Sequence, residues 1–215
     1  MSKYNFKVLS NVMNSAIFSD ILDDYDVDYL IRSVKPNIFN AKIMGRANTL
    51  KLRALNDGED YKSIYDAFDT YKTVRSGEII IVENEIPEFA YFGELNATIA
   101  MRCEAMGVII GGVTRDAVEV QQLGLPVFST GYSCADVLKR ATMESHNKPI
   151  CIDGVNIFPG SLIFADVNGV IVIPQNIEDE VLELAVKARM RESEILNKII
   201  NGIDAKQISN EDGGF

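Results

Sequence analysis

The chain has 215 residues, of which 47% are hydrophobic, enough to bury a full core in one domain. Its net charge of −10, with no long basic run, argues against a nucleic-acid surface, which needs clustered Lys and Arg to displace counterions from phosphates. Cys103, Cys134 and Cys151 show no CxxC spacing and no stretch approaches the roughly 20 apolar residues of a membrane span, so the expectation is a soluble cytoplasmic protein with neither disulfides nor a membrane partner.

Residues 15–25 place Ala16, Ile17, Ile21 and Leu22 on one helical stripe, with Ser15 as N-cap. Residues 41–52 read as a strand interrupted at Gly45, 61–71 as a helix, and Ser76-Gly77 as a turn into an apolar strand over 78–82. A helix is predicted over 94–106, a buried strand over 108–110, a turn at Gly111-Gly112, a helix over 117–123 stopped by Gly124, and a short strand over 126–128. Strands apolar on both faces and separated by helices indicate βαβ units with a parallel sheet.

The pattern changes after Gly131. Residues 151–155 and 161–165 read as short strands, and Asn168-Gly169 as a tight primed turn into a strand over 170–174. Residues 177–200 carry Val181, Leu182, Leu184, Ala185, Ala188, Ile195, Leu196 and Ile199 on one stripe of a long helix. Residues 209–215 read as a mobile tail, leaving 1–208 as one α/β domain.

Two Gly-marked junctions carry the chemistry. One is Gly93-Glu94-Leu95-Asn96, the other Gly111-Gly112-Val113-Thr114-Arg115-Asp116, with Arg115 and Asp116 predicted in the first turn of their helix at the carboxyl end of a strand. Helix starts of this kind offer N–H groups to anions. An acid there also stabilises the helix dipole by ~1 kcal/mol or less with no ligand, so position alone does not distinguish the two roles. His146 reads as a solvated loop residue, Asp153-Gly154 and Asp166 as turn residues, and Cys103 as core.

The chain resembles the family that includes the regulator of ribonuclease activity A and the class II 4-hydroxy-4-methyl-2-oxoglutarate (pyruvate) aldolases. The resemblance rests on Ser15-Ala16-Ile17-Phe18-Ser19-Asp20, Gly45-Arg46-Ala47-Asn48-Thr49, Ser76-Gly77-Glu78, the 93–116 block, Gly124-Leu125-Pro126-Val127-Phe128 and the 159–174 segment, in that order. Aldolases of the family have an Asp, twenty intervening residues, then Arg-Asp; here Glu94 stands in place of that Asp, followed by Arg115-Asp116. The resemblance implies a layered α/β/β swivelling-type domain with a C-terminal hairpin and long helix, assembled as a homotrimer or homohexamer. It also implies that a Glu of the long helix reaches a neighbouring subunit's metal site, a role falling to Glu192, with Glu194 as runner-up.

The implied activity is metal-dependent retro-aldol cleavage of a 4-hydroxy-2-oxo (di)carboxylic acid to pyruvate, with oxaloacetate decarboxylation as a side activity through the same enolate. Such a site must stabilise charge on the keto oxygen and hold the adjacent carboxylate. Mg²⁺, or Mn²⁺ in its place, binds oxygen ligands and keeps several waters, so Asp116 alone can anchor it. Arg115 offers a planar fork for a carboxylate, the N–H groups of Glu94, Leu95 and Asn96 after Gly93 form a second anion-holding surface, and Glu94 is placed to take a proton. The alternative is a non-catalytic protein that binds and regulates an RNA-processing enzyme; Arg115-Asp116 with Glu94 favours the enzyme.

Overall fold

The computed structural model describes residues 4–212. The chain runs through α1 (Phe6–Val12), α2 (Ser15–Leu22), β1 (Leu30–Ile31), β2 (Lys35–Pro36), β3 (Ile43–Ala54), a 3₁₀ segment (Tyr61–Phe68), α3 (Asp69–Thr73), β4 (Ile79–Asn84), α4 (Glu94–Arg102), β5 (Gly107–Gly111), β6 (Val113–Thr114) and α5 (Ala117–Leu123). It continues through β7 (Val127–Ser129), β8 (Gly131–Tyr132), β9 (Ala141–His146), β10 (Ile150–Ile152), β11 (Val155–Ile157), β12 (Leu162–Asp166), β13 (Gly169–Ile173), α6 (Glu178–Ile200) and α7 (Ala205–Asp212).

One mixed sheet organises the fold, in the order β1-β13-β12-β3-β4-β5-β7-β2, with β9 also paired to β3. The β3-β4-β5-β7 part is parallel, whereas β12, β13 and β9 join antiparallel. Successive side chains of a strand point to opposite faces, and here both faces are covered. Ile80, Val82, Val108 and Ile110 pack against Ala97 and Ala100 of α4 and Val120 of α5. Ile79, Ile81 and Ile109 meet Ile150, Ile152, Val155 and Ile157 of the β10–β11 hairpin. Helices, sheet and hairpin therefore form the α/β/β layers, and α1, α2 and α6 close a third cluster over Phe164 and Ile171.

Several local expectations change. The N-cap of α2 is Asn14, whose side chain accepts from the Ile17 N–H, while the Ser15 N–H and hydroxyl both donate to the buried Asp166. Gly45 does not interrupt β3; it sits inside the strand because a side chain there would collide with the Gly77 carbonyl oxygen. Residues 61–71 are mostly 3₁₀, with the α-helix proper starting at Asp69. Residues 151–155 form a hairpin around Asp153 (φ 53°) and Gly154 (φ 81°), the primed turn of this region. At the other hairpin Asp166 pairs with Gly169, so Val167 and Asn168 make the turn, and neither takes a positive φ.

His146 ends β9 with Nδ1 buried rather than lying in a solvated loop. Arg46 clasps Glu178 at the start of α6 through Nη1 and Nη2, tying the long helix to β3. Leu184, Leu196 and Ile199 of the expected α6 stripe are exposed, because the third cluster covers only Val181, Leu182 and Ala185 of that helix fully. Helix α7 takes in 209–212 of the expected tail and buries Ile208; residues 213–215 lie outside the described residues. No helix among the described residues is long and apolar enough to cross a membrane.

Candidate functional site

Strands β4 and β5 are adjacent and parallel, so the segments leaving their carboxyl ends emerge side by side. Ligands of open α/β sheets bind at this position. Phe92 bridges Thr114 in parallel, and the Arg115 N–H donates to the Phe92 carbonyl at 2.9 Å. The twenty residues between Glu94 and Arg115 thus amount to one helix and the strands β5 and β6, which return the chain to its starting edge.

Helix α5 spans Ala117–Leu123 as expected, but Arg115 and Asp116 precede it rather than lying in its first turn, because Val113–Thr114 form an extra short strand with Gly131–Tyr132. Asp116 occupies the N-cap position with left-handed backbone (φ 52°, ψ 44°) and does not cap its own helix. An Asp tolerates that conformation better than most side chains. Its carboxylate instead accepts the Glu94 N–H through Oδ2 at 3.0 Å and so caps α4, whose N-cap residue, Gly93, has no side chain for the task. A side chain at Gly93 would overlap Asp116 Oδ2 and crowd Arg115 Cγ at 3.0 Å. Glycine is required here by close approach, not by backbone freedom.

The Arg115 guanidinium lies between two carboxylates. Nε is 3.7 Å from Asp116 Oδ2, and Nη1 forms an ion pair with Asp136, a residue that sequence reasoning missed. Asp136 lies in an irregular stretch between β8 and β9, where no periodicity or spacing marks it; the Asp136–Ala90 bridge brings it to the site. Arg115, Asp116 and Asp136 together line a cleft of about 220 Å³, with Gly93 and Asn96 also in its lining. The rest of its lining is apolar, built from Ile64, Tyr65 and Phe68 of the 3₁₀ segment together with Tyr91, Leu95, Val137 and Leu138.

Gly93, Leu95, Asn96, Arg115 and Asp116 are therefore brought together, with qualifications. The Glu94 N–H is already used by Asp116, leaving those of Leu95 and Asn96 as first-turn donors. The Asn96 side chain is spent on the Tyr91 carbonyl at 2.7 Å. The Glu94 side chain is exposed and is not among the residues that line the cleft. Glu192 is not at this cleft: it pairs with Arg189 at 3.2 Å on α6 and lines a separate groove beside Asp20 and Asp24 of the α2 region. Among the described residues no group of three or more His, Cys, Asp or Glu side chains gathers as a metal cage.

The donor set nonetheless suits one kind of cation. Two carboxylates against one guanidinium leave the cleft net negative, so an anionic substrate would meet repulsion unless a cation joined it. A fixed oxygen donor with open space around it matches a hard divalent ion that retains its waters. The Tyr91 phenol in the cleft lining adds nothing anionic: burial pushes its pKa up, so it stays neutral.

Comparisons with known proteins agree with this architecture. The chain is 32% identical over 195 residues to the protein DlpA of Legionella pneumophila, covering 90% of this chain but only 31% of that much longer protein. It is 29% identical over 170 residues to a Halalkalibacterium halodurans protein provisionally named as a 4-hydroxy-4-methyl-2-oxoglutarate aldolase, covering 79% of this chain and 76% of the relative. Among solved structures, RraAS2 of Streptomyces coelicolor, described as an unusual member of the RNase ES inhibitor RraA protein family, superposes with a TM-score of 0.76 at 20% identity, covering 90% of this chain and 98% of the other. A Pseudomonas syringae protein of uncharacterised function gives a TM-score of 0.80 at 24% identity, covering 94% and 96%; both likenesses concern the fold. The family profile described as RraA-like, Aldolase/RraA, matches residues 15–172, and the chain belongs to that family.

Proposed function

We propose that the chain is a divalent-metal-dependent lyase that cleaves a 4-hydroxy-2-oxo acid to pyruvate, and that it decarboxylates oxaloacetate as a side activity. The observation that carries this reading is Asp116, held in a left-handed turn by the Glu94 N–H beside Arg115, in a cleft whose own charges repel an anion. Relatives named as 4-hydroxy-4-methyl-2-oxoglutarate aldolases support it.

In the cleavage the C4 hydroxyl loses its proton, the C3–C4 bond breaks to release a carbonyl product, and the electron pair moves onto the C2 oxygen; protonation at C3 then gives pyruvate. Arg115 holds the substrate carboxylate through the guanidinium edge not taken by Asp136, and its charge offsets the growing enolate. Asp136 is a positioning residue, since it fixes that guanidinium. The N–H groups of Leu95 and Asn96 provide further donors, and the exposed Glu94 between Gly93 and Leu95 takes the hydroxyl proton. Mg²⁺ or Mn²⁺ would be held by Asp116, and when bound supplies Lewis-acid withdrawal of charge from the C2 oxygen. Glu192 reaches the site of a second copy in a homotrimer or homohexamer.

The test is pyruvate release from oxaloacetate and from 4-hydroxy-2-oxo acids, with Mg²⁺ and with chelator. Metal-dependent release that is lost in Arg115→Lys, whose ammonium lacks the planar fork, is expected. No release from any of these acids would remove the reading. For the shared site, mixed oligomers of inactive Asp116→Ala and inactive Glu192→Ala chains should recover part of the activity, and a fully active Glu192→Ala chain would take that residue out of the site.

A further inference from the structure

The same cleft has an apolar lining beyond its charged group, and the chemistry of the two differs. Among the described residues lining it Arg115 is the one cation, and that charge is already flanked by Asp116 and Asp136. The nearby cations face elsewhere: Arg140 stacks over Phe89 and donates to the Asp136 and Leu138 carbonyls, and Lys139 sits 5.6 Å from the centre of the Tyr61 ring. A second substrate carboxylate pointing away from Arg115 would lose water without gaining a partner, which is costly.

What stands there instead is an apolar wall. Leu95 is 76% exposed, Tyr65 50% and Phe68 42%, and all three flank the cleft with Ile64, Val137 and Leu138 behind them. Large apolar side chains gathered in the open around a polar site mark a binding surface. Tyr65 and Phe68 are already stacked, with ring centroids 5.9 Å apart and planes 23° from parallel. The segment carrying them is anchored by buried Ile64 and Ala67 and by the Ser63 hydroxyl against that of Thr142 at 2.6 Å. A volume of about 220 Å³ exceeds the roughly 150 Å³ that accommodates a benzene ring, leaving space for a pyruvyl unit at Arg115.

Given the lyase reading of this site, we propose that the cleft selects 4-hydroxy-2-oxo acids whose C4 substituent is an alkyl or aryl group over those that end in a second carboxylate. Tyr65, Phe68 and Leu95 set that preference by covering the apolar substituent, while Arg115 and Asp116 hold the pyruvyl end common to every substrate.

Two measurements on the wild-type protein with Mg²⁺ separate this proposal from the reading beneath it. Exchange of the pyruvate methyl protons in D₂O, followed by NMR, reports enolate formation with no C4 substituent involved. The kcat/KM values for acids carrying methyl, isopropyl, phenyl and carboxylate-bearing groups at C4 report the far end. The expected result is exchange, with the isopropyl and phenyl members favoured by about 10-fold or more over the carboxylate-ended ones. Phe68→Lys should reverse the order and Phe68→Leu preserve it. Exchange with a wild-type preference for the carboxylate-ended acids overturns the selectivity proposal alone; absence of both exchange and cleavage overturns the lyase reading and the proposal with it. Sedimentation adds a control: if Phe68→Lys dissociates a wild-type oligomer, the wall belongs to an interface between copies and the proposal falls.

Discussion

The two ends of the cleft are held in different ways. At the charged end, position is set by the backbone: a left-handed Asp116, a Gly93 with no room for a methyl group, and hydrogen bonds from the Glu94 and Arg115 N–H groups. At the apolar end, position is set by side chains packed on a 3₁₀ segment, where Tyr65 and Phe68 remain in the open. Backbone-defined geometry tolerates almost no substitution, whereas a packed wall tolerates exchange among apolar shapes. The charged end is therefore suited to a reaction step common to all substrates, and the apolar end to selection among them.

The sharpest way to break this contrast is Asp116→Asn. Asn also adopts left-handed backbone and can still accept the Glu94 N–H, so the fold should survive while the anchoring charge is gone. Metal-dependent pyruvate formation should fall by about 1000-fold with an unchanged circular dichroism spectrum. Turnover near wild type would sink the proposed site.

Gly93→Ala tests whether backbone approach is the constraint. Its methyl group displaces the Asp116 carboxylate and presses on Arg115, so kcat/KM should drop by about 100-fold. A destabilisation of ~1–3 kcal/mol should accompany it in urea unfolding. An Ala variant as active and as stable as the parent would show that the two segments separate easily.

Glu94 is exposed to solvent at the start of α4. Glu94→Ala should lower kcat by about 100-fold, and Glu94→Asp by less than about 10-fold, because a proton acceptor is retained. Equal losses in the two variants would argue that Glu94 serves the start of α4 rather than the reaction.

The smallest effect lies behind the apolar end. Arg53 grips Glu59, just before the 3₁₀ segment, and this hydrogen bonding lowers the Glu59 pKa from 4.5 to about 2. A depressed carboxylate pKa adds stability above its unfolded value that is lost as pH falls through the folded one. The wild-type advantage over Glu59→Gln should therefore be present at pH 7, shrink between about pH 4.5 and 2, and stay small because the pair is solvent-screened. An advantage that grows on acidification would contradict the assignment.

The repeating βα pattern is legible in the chain itself, and the structure shows Gly93-Glu94 meeting Arg115-Asp116 across one such unit. Hydrophobic periodicity is a local signal, and one βα unit returns the chain to the same sheet edge, so a spacing of twenty residues translates directly into proximity. The turn at Asp153-Gly154, by contrast, was hidden inside an apparent strand, because Ile152 and Val155 look alike whether they continue one strand or face each other across two. Only the tertiary structure decided that Asp116 caps the other helix, that Asp136 holds Arg115, and that Tyr65 and Phe68 stand in a cleft. Asp136 reaches the site through an irregular connection with no periodicity to read. Tyr65 and Phe68 have the spacing of a buried helical stripe, and their exposure depends on what the rest of the chain leaves uncovered, which no local pattern encodes.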